Sequence, residues 1–354
     1  MLRAQRQAAI APSVMPRCRQ RGVALIMALV VTFVAVGVAG LLAVRQHTAI
    51  ERTAAVVNRA QVQQYLDGVE AWVGATLEKQ IKRTGWIGLE QPWAQPLPDT
   101  AIGEADSGRL SGQVEDLQGR FNLNNLVHEG KIDALAQARF ARLLQALELP
   151  ANLAQAVTDW LGARVAGASA DTQGAYYLGQ SPPYVAANRP FASVTTLRLV
   201  RGVTPAIYAR LAPYVSALPA GTAINVNTAS QTVLRAIGLT AAQAASVAAE
   251  RMRSGYKNIQ AFMDSPALNK AHVQSDRLAV SSRYFAVRSR IGIGGRTSLP
   301  YVSILSVDTG GRAHVMRRAV AFAVRSPTQS PAKPPEQGPA QAPAAADQPA
   351  RGGS

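Results

Sequence analysis

The strongest constraint on this chain is a run of 22 uncharged, mostly apolar residues at positions 23–44. At about 1.5 Å of rise per residue, a helix of this length spans the ~30 Å hydrocarbon core of a bilayer. A cleavable secretory signal has a shorter apolar core, of about 7–15 residues, and ends in a small-residue cleavage site. No such site is evident before Arg45. The run therefore predicts a permanent transmembrane helix at 23–44.

The charges before this run predict its orientation. Residues 1–22 contain arginines and no acidic residue; the arginines are Arg3, Arg6, Arg17, Arg19 and Arg21. Positive residues next to a membrane span remain in the cytoplasm. We therefore expect a single-pass membrane protein with a cytoplasmic N-terminus and the rest of the chain outside the cytoplasm. If the cell is Gram-negative, the membrane is the inner membrane and the rest of the chain lies in the periplasm.

Composition excludes several classes of site. The single cysteine, Cys18, precedes the apolar run, so an internal disulfide and a cysteine zinc site are excluded. The 4 histidines lack metal-ligand spacing, and no P-loop, G-x-S-x-G or H-E-x-x-H motif occurs. The net charge of +16 permits binding to nucleic acid or anionic lipid, but the basic residues are scattered rather than clustered. We therefore expect that this protein is not an enzyme.

An amphipathic pattern continues after the apolar run. Apolar residues recur at three- and four-residue steps, which is typical of a helix with one buried face. They are Val62, Leu66, Val69, Val73 and Leu77. No proline interrupts residues 23–86, so the pattern predicts one continuous helix, with a stem at 45–86. Two helices with a bend near Gly68 or Gly74 are the alternative.

The remaining segments indicate an α+β fold. A loop is expected at 85–99, strands at 108–126 with a turn near Gln118, and helices from about 131 to 269. The last segments predict a three-stranded antiparallel meander with turns at Gly294-Gly295 and Gly310-Gly311. Strands on both sides of a helical block imply an insertion. We place the sheet domain at 87–127 and 275–325, the inserted all-α domain at 128–274, and a disordered Pro/Ala-rich tail at 327–354.

The most patterned soluble stretch, "INVNTASQTVLRAIGLTAAQAASVAAERMRSGYKNIQAFM", lies at 224–263. Two possible capping boxes, Thr228 with Gln231 and Thr240 with Gln243, predict two short helices separated by Gly238 and ended by Gly255. The pair resembles the helix-hairpin-helix of DNA-uptake receptors, which is related to SAM-like helical domains. Its hairpin amides, with the basic side chains Arg251, Arg253 and Lys257, could contact phosphate. The hairpin "IGLT" has one glycine where G-x-G is common, so a capped helix pair packed in a core is the simpler interpretation.

The junction at Gly22 resembles a class III, or type IV prepilin, leader. In that family a membrane peptidase cuts after the glycine and keeps the apolar helix as an anchor. The resemblance implies a leader at 1–22, cleavage between Gly22 and Val23, and N-methylation of Val23. Most members carry Glu at the fifth mature position, where this chain has Met27. An uncut signal anchor is the alternative.

Five motifs are similar to those of the K-type minor pseudopilin family, in that family's order. They are "QGRFNLNNL" (118–126), "TDWLGA" (158–163), "QGAYYLGQSPPYVAANRPFASVTTLRLVRG" (173–202), "LAPYVSALP" (211–219) and "INVNTA" (224–229). That family also lacks the Glu that Met27 replaces. The resemblance implies a pilin-like fold and a non-enzymatic tip subunit of the type II secretion pseudopilus, too bulky for subunits to stack above it. It implies the I- and J-type minor pseudopilins, the major pseudopilin, the prepilin peptidase, the secretin and secreted cargo as partners.

The same resemblance raises the question of calcium, which the family binds near two of these motifs. Here Gly162 and the pair Tyr176-Tyr177 stand where acids are usual. Asp159 and Asp171 remain as candidate ligands, whereas calcium takes about 6–8 oxygens. Helix capping or solvent exposure would also explain both aspartates. We therefore expect no required cofactor, and without calcium the loop at 166–180 is either ordered by tyrosine packing or mobile.

Two other functions are compatible with parts of the sequence. A membrane-anchored DNA receptor of a competence system would use the helix-hairpin-helix, although such receptors are usually much smaller. A minor pilin of a true type IV pilus shares the leader but does not predict the "NVNTA" block. The motifs favour the tip pseudopilin over both.

Overall fold

The structure, a computed structural model, describes residues 21–103, 108–163, 170–269, 271–293, 299–308 and 310–320. The side chains of 21–22 and 170–173 are not described. The predicted tail at 327–354, the first 20 residues of the predicted leader and the Gly294-Gly295 turn lie outside these ranges. The chain divides into two compact units, residues 1–64 and 65–354.

Helix α1 comprises Arg21–Thr84. It runs through Gly68 and Gly74, so the alternative of two separate helices is wrong. Lys82 and Arg83 in its last turn complement the helix dipole. Gly85, at a φ of 75°, then takes the left-handed conformation that ends helices, and its N–H donates to the Ile81 carbonyl at 2.8 Å.

A five-stranded antiparallel sheet forms the body of the second unit, in the order β1-β2-β9-β10-β11. Its strands are β1 (Leu97–Ile102), β2 (Gly108–Asp116), β9 (Tyr284–Ile293), β10 (Leu299–Val307) and β11 (Ala313–Val320). The last three are the predicted meander, which is confirmed. The prediction of a loop through Asp99 is wrong, because β1 begins at Leu97. Pro98 and Asp99 are rare in strands, and β1 accommodates them as an irregular edge strand.

The chain between β2 and β9 forms the predicted helical block. Its helices are α2 (Ala134–Ala146), α3 (Leu153–Trp160), α4 (Ala170–Leu178), α5 (Pro205–Leu211), α6 (Gln231–Ala236), α7 (Ala241–Arg253) and α8 (Ile259–Met263). Three pairs of two-residue strands accompany them: β3 (Phe121–Asn122) with β6 (Val215–Ser216), β4 (Val127–His128) with β5 (Lys131–Ile132), and β7 (Ile224–Asn225) with β8 (Leu278–Ala279).

Each face of the sheet has its own core. One face packs against the stem, here the part of α1 from Tyr65 to Thr84, where the predicted positions Leu66, Val69, Val73 and Leu77 are all buried. The other face contributes Ala286 to a small cluster with Leu117 and Leu218. The helical block has a separate and larger core, in which the rings of Phe121 and Phe140 stack at 5.3 Å. Burying these apolar faces gives the main driving force for the fold.

The capping predictions have different outcomes. Thr240 and Gln243 form the capping box of α7 as predicted. The box predicted at Thr228 is wrong, since Ser230 is the N-cap of α6 and accepts from the Val233 N–H at 3.3 Å. Gly238 follows α6 at a φ of 117°, which confirms its predicted role in ending that helix.

Candidate functional site

The predicted anchor is exposed along its length. Every residue from Val23 to Ile50 is exposed. Met27, the position that lacks the usual Glu, is 64% exposed, and Val23 is 60% exposed. Among the described residues, α1 is the one helix long and apolar enough to cross a membrane, by length and composition. Its uncharged part, residues 23–44, exposes apolar side chains and is therefore suited to lipid rather than to water.

A buried ion cluster fixes the stem against β10 and β11. Glu70 is 5% exposed on the apolar face of the stem and accepts hydrogen bonds from the Ser303 hydroxyl and from Arg318 Nε at 2.8 Å. Arg318 Nη2 also lies 2.6 Å from Asp67 Oδ1. These hydrogen bonds raise the pKa of Arg318, Glu70 making the largest contribution. The sequence does contain the signal for this cluster, because an acid within an apolar stripe requires a buried partner.

A second buried cluster centres on Asp116, the last residue of β2. Asp116 is 5% exposed. Its Oδ2 accepts from Ser282 Oγ at 2.5 Å, Thr228 Oγ1 at 2.6 Å and Asn225 Nδ2 at 3.0 Å. Its Oδ1 accepts from the Gln118 N–H at 2.8 Å.

This carboxylate joins the two places where the chain crosses between sheet and helical block. Gln118 lies just after β2, and Ser282 lies just before β9. Burial raises the pKa of Asp116, and the four hydrogen bonds oppose that shift. Our sequence analysis missed this cluster, since an acid that ends a strand before a turn is also typical of an exposed loop.

The asparagines of the sequence motifs are structural. In "FNLNNL", the side-chain amides of Asn122, Asn124 and Asn125 donate to the carbonyls of Pro219, Leu218 and Thr222 at 2.7–2.9 Å. In "NVNTA", Asn225 donates to the Ile87 carbonyl at 3.0 Å and Asn227 to the Tyr256 carbonyl at 2.8 Å. All five asparagines are buried. They satisfy backbone groups of turns that no regular strand or helix would satisfy.

Of the two candidate calcium ligands, the described part of the chain includes the side chain of Asp159 alone. Asp159 is 7% exposed, and its Oδ1 accepts from Gln155 Nε2 at 2.6 Å. Its Oδ2 lies 3.9 Å from Arg201 Nη2, a cation where calcium would need oxygen ligands. Asp171 belongs to α4, but its side chain lies outside the described residues. The described residues contain no group of three His, Cys, Asp or Glu that could hold a metal.

Aromatic packing is present where calcium was considered. The Tyr177 ring lies 5.3 Å from the rings of Trp160 and Tyr184, and Tyr176 contacts Tyr177 at 5.2 Å. This supports the expectation that tyrosines order the segment around residues 176–184. Residues 164–169 lie outside the described ranges, so the ordering of the loop before α4 stays a prediction.

The helix-hairpin-helix interpretation loses one of its three candidate cations, Arg251, whereas Arg253 and Lys257 are exposed. Arg251 is 5% exposed and donates to the Val226 carbonyl at 2.8 Å, so it is not available to an external phosphate. Its burial lowers its pKa to about 10. Ile237 and Leu239 of the hairpin are also buried in the core of the block. The pair α6–α7 therefore packs as a core element.

Comparison with known proteins places these features in one family. Two family models, both described as type II secretion system (T2SS), protein K, match residues 119–220 and 224–281. The type II secretion system protein K of Pseudomonas aeruginosa is 35% identical over 314 residues, covering 84% of this chain and 92% of the relative. Protein K of Aeromonas hydrophila is 34% identical over 307 residues, covering 79% and 91%.

A solved structure supports the same assignment at the level of the fold. A chain in the crystal structure of the GspK-GspI-GspJ complex from the enterotoxigenic Escherichia coli type 2 secretion system matches with a TM-score of 0.65 and 23% identity. The match covers 77% of this chain and 100% of that chain. With the exposed anchor, the antiparallel sheet and the long matches to protein K relatives, the chain belongs to the type II secretion system protein K family of minor pseudopilins.

Proposed function

We propose that this chain is the tip subunit of the type II secretion pseudopilus and initiates its assembly with I- and J-type minor pseudopilins. The assembled pseudopilus then serves protein export across the outer membrane. The observation that carries the proposal is a single helix that presents an exposed anchor and whose stem packs under the sheet. Such a subunit acts by association with neighbours, so we propose an assembly function and no catalysis.

The inserted block explains why this subunit would end the filament. The predicted insertion at 128–274 lies between β2 and β9, and its own core is larger than that of the sheet domain. We assign it to the SAM-like or helix-hairpin-helix-like class on the capped α6–α7 pair. A rigid block of this size on the head leaves no space for a further subunit above it.

Cleavage of the leader and the residue at position 27 are the second part of the proposal. Prepilin peptidase cuts between Gly22 and Val23 and the new amine of Val23 is methylated. In other subunits a Glu at the fifth mature position neutralises the N-terminal amine of a neighbour. Met27 cannot do so, because it carries no charge. A subunit without this Glu needs no neighbour above it, which is consistent with the tip.

The same proposal places the chain in the inner membrane with its N-terminus in the cytoplasm and its globular unit in the periplasm. The arginines before the anchor support this orientation. The major pseudopilin is the next partner along the filament. The secretin and the secreted cargo are further partners that a periplasmic tip would reach.

The test is co-expression of the full chain with the I- and J-type subunits, followed by detergent extraction and affinity purification. We expect a stable 1:1:1 complex. Val30→Asp, which puts a charge at a lipid-exposed position, should remove the chain from the membrane and abolish the complex. Failure of the wild-type chain to capture either subunit, together with salt-sensitive binding to DNA, would replace the proposal with the DNA-receptor alternative.

A further inference from the structure

The exposed apolar side chains of the helical block are concentrated in one segment. Among the described residues of the block, five large apolar side chains are exposed: Tyr176, Leu178, Val185, Leu199 and Met252. Four of the five lie between positions 176 and 199. Single exposed apolar residues are normal on a protein surface, whereas a contiguous group of them marks a binding surface.

Contacts among tyrosines connect the two ends of this segment. The buried Tyr177 ring lies 5.2 Å from the ring of Tyr176 and 5.3 Å from the ring of Tyr184. The Tyr184 hydroxyl donates to the Leu199 carbonyl at 2.9 Å. We call the resulting surface the tyrosine patch. Its members are Tyr176, Leu178, Tyr184, Val185 and Leu199.

Two arginines border the tyrosine patch. The guanidinium carbon of Arg201 lies 5.7 Å from the centroid of the Tyr176 ring, and Asp159 Oδ2 is 3.9 Å from Arg201 Nη2. Arg198 directly precedes Leu199 and is exposed, and no acidic side chain of the described residues forms an ion pair with it. A segment bound at the patch can therefore place an acidic residue beside its apolar residues.

The last strand of the sheet ends next to the same segment. Arg317 Nη1, on β11, donates to the Ala192 carbonyl at 3.0 Å. Ala192 is followed by a 3₁₀-helix, Val194–Leu199, whose residues rise about 2.0 Å each, so Leu199 lies within about 20 Å of Ala192. The 11 residues from 321 to 331 span up to about 35 Å when they are extended. The chain beyond β11 is therefore long enough to reach the tyrosine patch.

The sequence beyond β11 has the composition of a segment that binds aromatic surfaces. Residues 327–354 include 7 prolines and no Ile, Leu, Met, Phe, Trp, Tyr or Val. This composition cannot form a core, but prolines favour the polyproline II conformation, which has three residues per turn. In "PAKPPE", at 331–336, Pro331 and Pro334 are one such turn apart and Glu336 follows them. Aromatic-lined surfaces bind proline-rich segments with this spacing.

We propose that residues 331–336 of this chain bind the tyrosine patch in the polyproline II conformation. The two prolines pack on the exposed tyrosine rings, and Glu336 pairs with Arg198. Because the segment and the patch belong to one chain, the effective concentration of the segment is on the order of millimolar, so weak contacts suffice. The contact covers apolar side chains that otherwise face water. The inference concerns the helical block alone and does not depend on the proposed function.

A photo-crosslinking amino acid at position 185 of the full chain, in detergent, tests this contact. Val185 is 67% exposed and belongs to the patch. The matched control carries the same amino acid at position 252, because Met252 is exposed on the block outside the patch. Position 185 should cross-link to peptides that contain residues 331–336, whereas position 252 should not. Both proteins should unfold at the wild-type temperature, since both positions are exposed.

Variants of the segment test which of its residues make the contact. Replacing both Pro331 and Pro334 with alanine should lower the yield of this cross-link about tenfold. The matched control replaces Pro343 and Pro349 with alanine, outside the proposed segment, and should leave the yield unchanged. Arg198→Glu should lower the yield about threefold, and adding Glu336→Arg should restore it, because the exchange re-forms the ion pair with opposite signs.

Several results would overturn the proposal. One is a cross-link from position 185 to a different part of the chain or to another protein. Equal yields for the two proline variants, or no recovery after the charge exchange, would also contradict it. A cross-link between an unlabelled chain and an isotope-labelled copy would assign the bound segment to a second molecule, and so would exclude the contact within one chain.

Discussion

Replacing Asp116 with alanine tests how the helical block is attached to the sheet. The change removes the acceptor of four hydrogen bonds described above. Asn225 keeps the Ile87 carbonyl and Ser282 as partners, and Thr228 keeps the Asn225 carbonyl at 3.4 Å. The N–H of Gln118 loses its acceptor, and an unpaired buried donor costs about 1–3 kcal/mol.

The expected loss of stability follows from this difference in partners. The loss of the three side-chain hydrogen bonds to the carboxylate adds to the cost of the unpaired N–H. Removing a buried carboxylate also recovers part of the free energy that its desolvation costs, which offsets some of this loss. We expect the free energy of unfolding to fall by about 3 kcal/mol. For a unit of this size, that corresponds to a fall in melting temperature of roughly 6–12 °C.

The assay is thermal unfolding of the full chain in detergent, monitored by the intrinsic fluorescence of its 4 tryptophans, of which Trp93 and Trp160 are buried. The matched control is Asp99→Ala, which removes an aspartate whose partner is the exposed Arg109 at 2.7 Å. Exposed pairs contribute little, so the control should unfold close to the wild-type temperature. Equal melting temperatures for the two variants would refute the role that we assign to Asp116.

Four shorter predictions accompany this one. Burial raises the pKa of Asp116 in the folded state, so protonation of this group favours folding. The contribution is fully present below the unfolded pKa of about 3.9 and is lost as pH rises through the folded pKa. Asp116→Asn should flatten this part of the curve of stability against pH. Gly74→Ala should destabilise by about 1–3 kcal/mol through overpacking on Ala313, whereas Gly68→Ala, whose Cβ meets nothing within 4 Å, should stabilise by up to about 1 kcal/mol in chemical denaturation. The intact mass should correspond to a chain starting at methylated Val23, and Gly22→Val should retain the leader; a wild-type mass that includes the leader would favour the uncut anchor. Calorimetric titration of the chelated chain with calcium should give only the heat of dilution, and saturable heat would restore the site at Asp159 and Asp171.

The long-range pattern of the fold was predictable because it depends on periodicity. The stem positions from Leu66 to Leu77 repeat at helical steps, and the meander alternates in segments separated by glycine pairs. Each signal involves many residues, so single exceptions do not obscure it. Strand β1 was missed because Pro98 and Asp99 oppose strand propensity within six residues, and its pairing with β2 compensates for that locally.

The polar clusters were harder to predict because their partners are distant in sequence. Glu70 and Arg318 are 248 positions apart, and Asp116 and Ser282 are 166 apart. Local sequence cannot reveal which acid meets which donor. The wrong capping box at Thr228 has the same cause. A threonine three residues before a glutamine fits the capping-box pattern, but the Thr228 hydroxyl donates to the distant Asp116 instead.

These clusters also explain what the most recognisable motifs do. The asparagines of "FNLNNL" and "NVNTA" and the carboxylate of Asp116 are buried, so they are not available to bind a partner directly. They hold the crossings between sheet and block, and so fix the direction in which the block leaves the sheet. In the tip subunit that we propose, that direction decides which surfaces face neighbours and which remain free. Loss of Asp116 should therefore weaken partner capture even though this residue is buried.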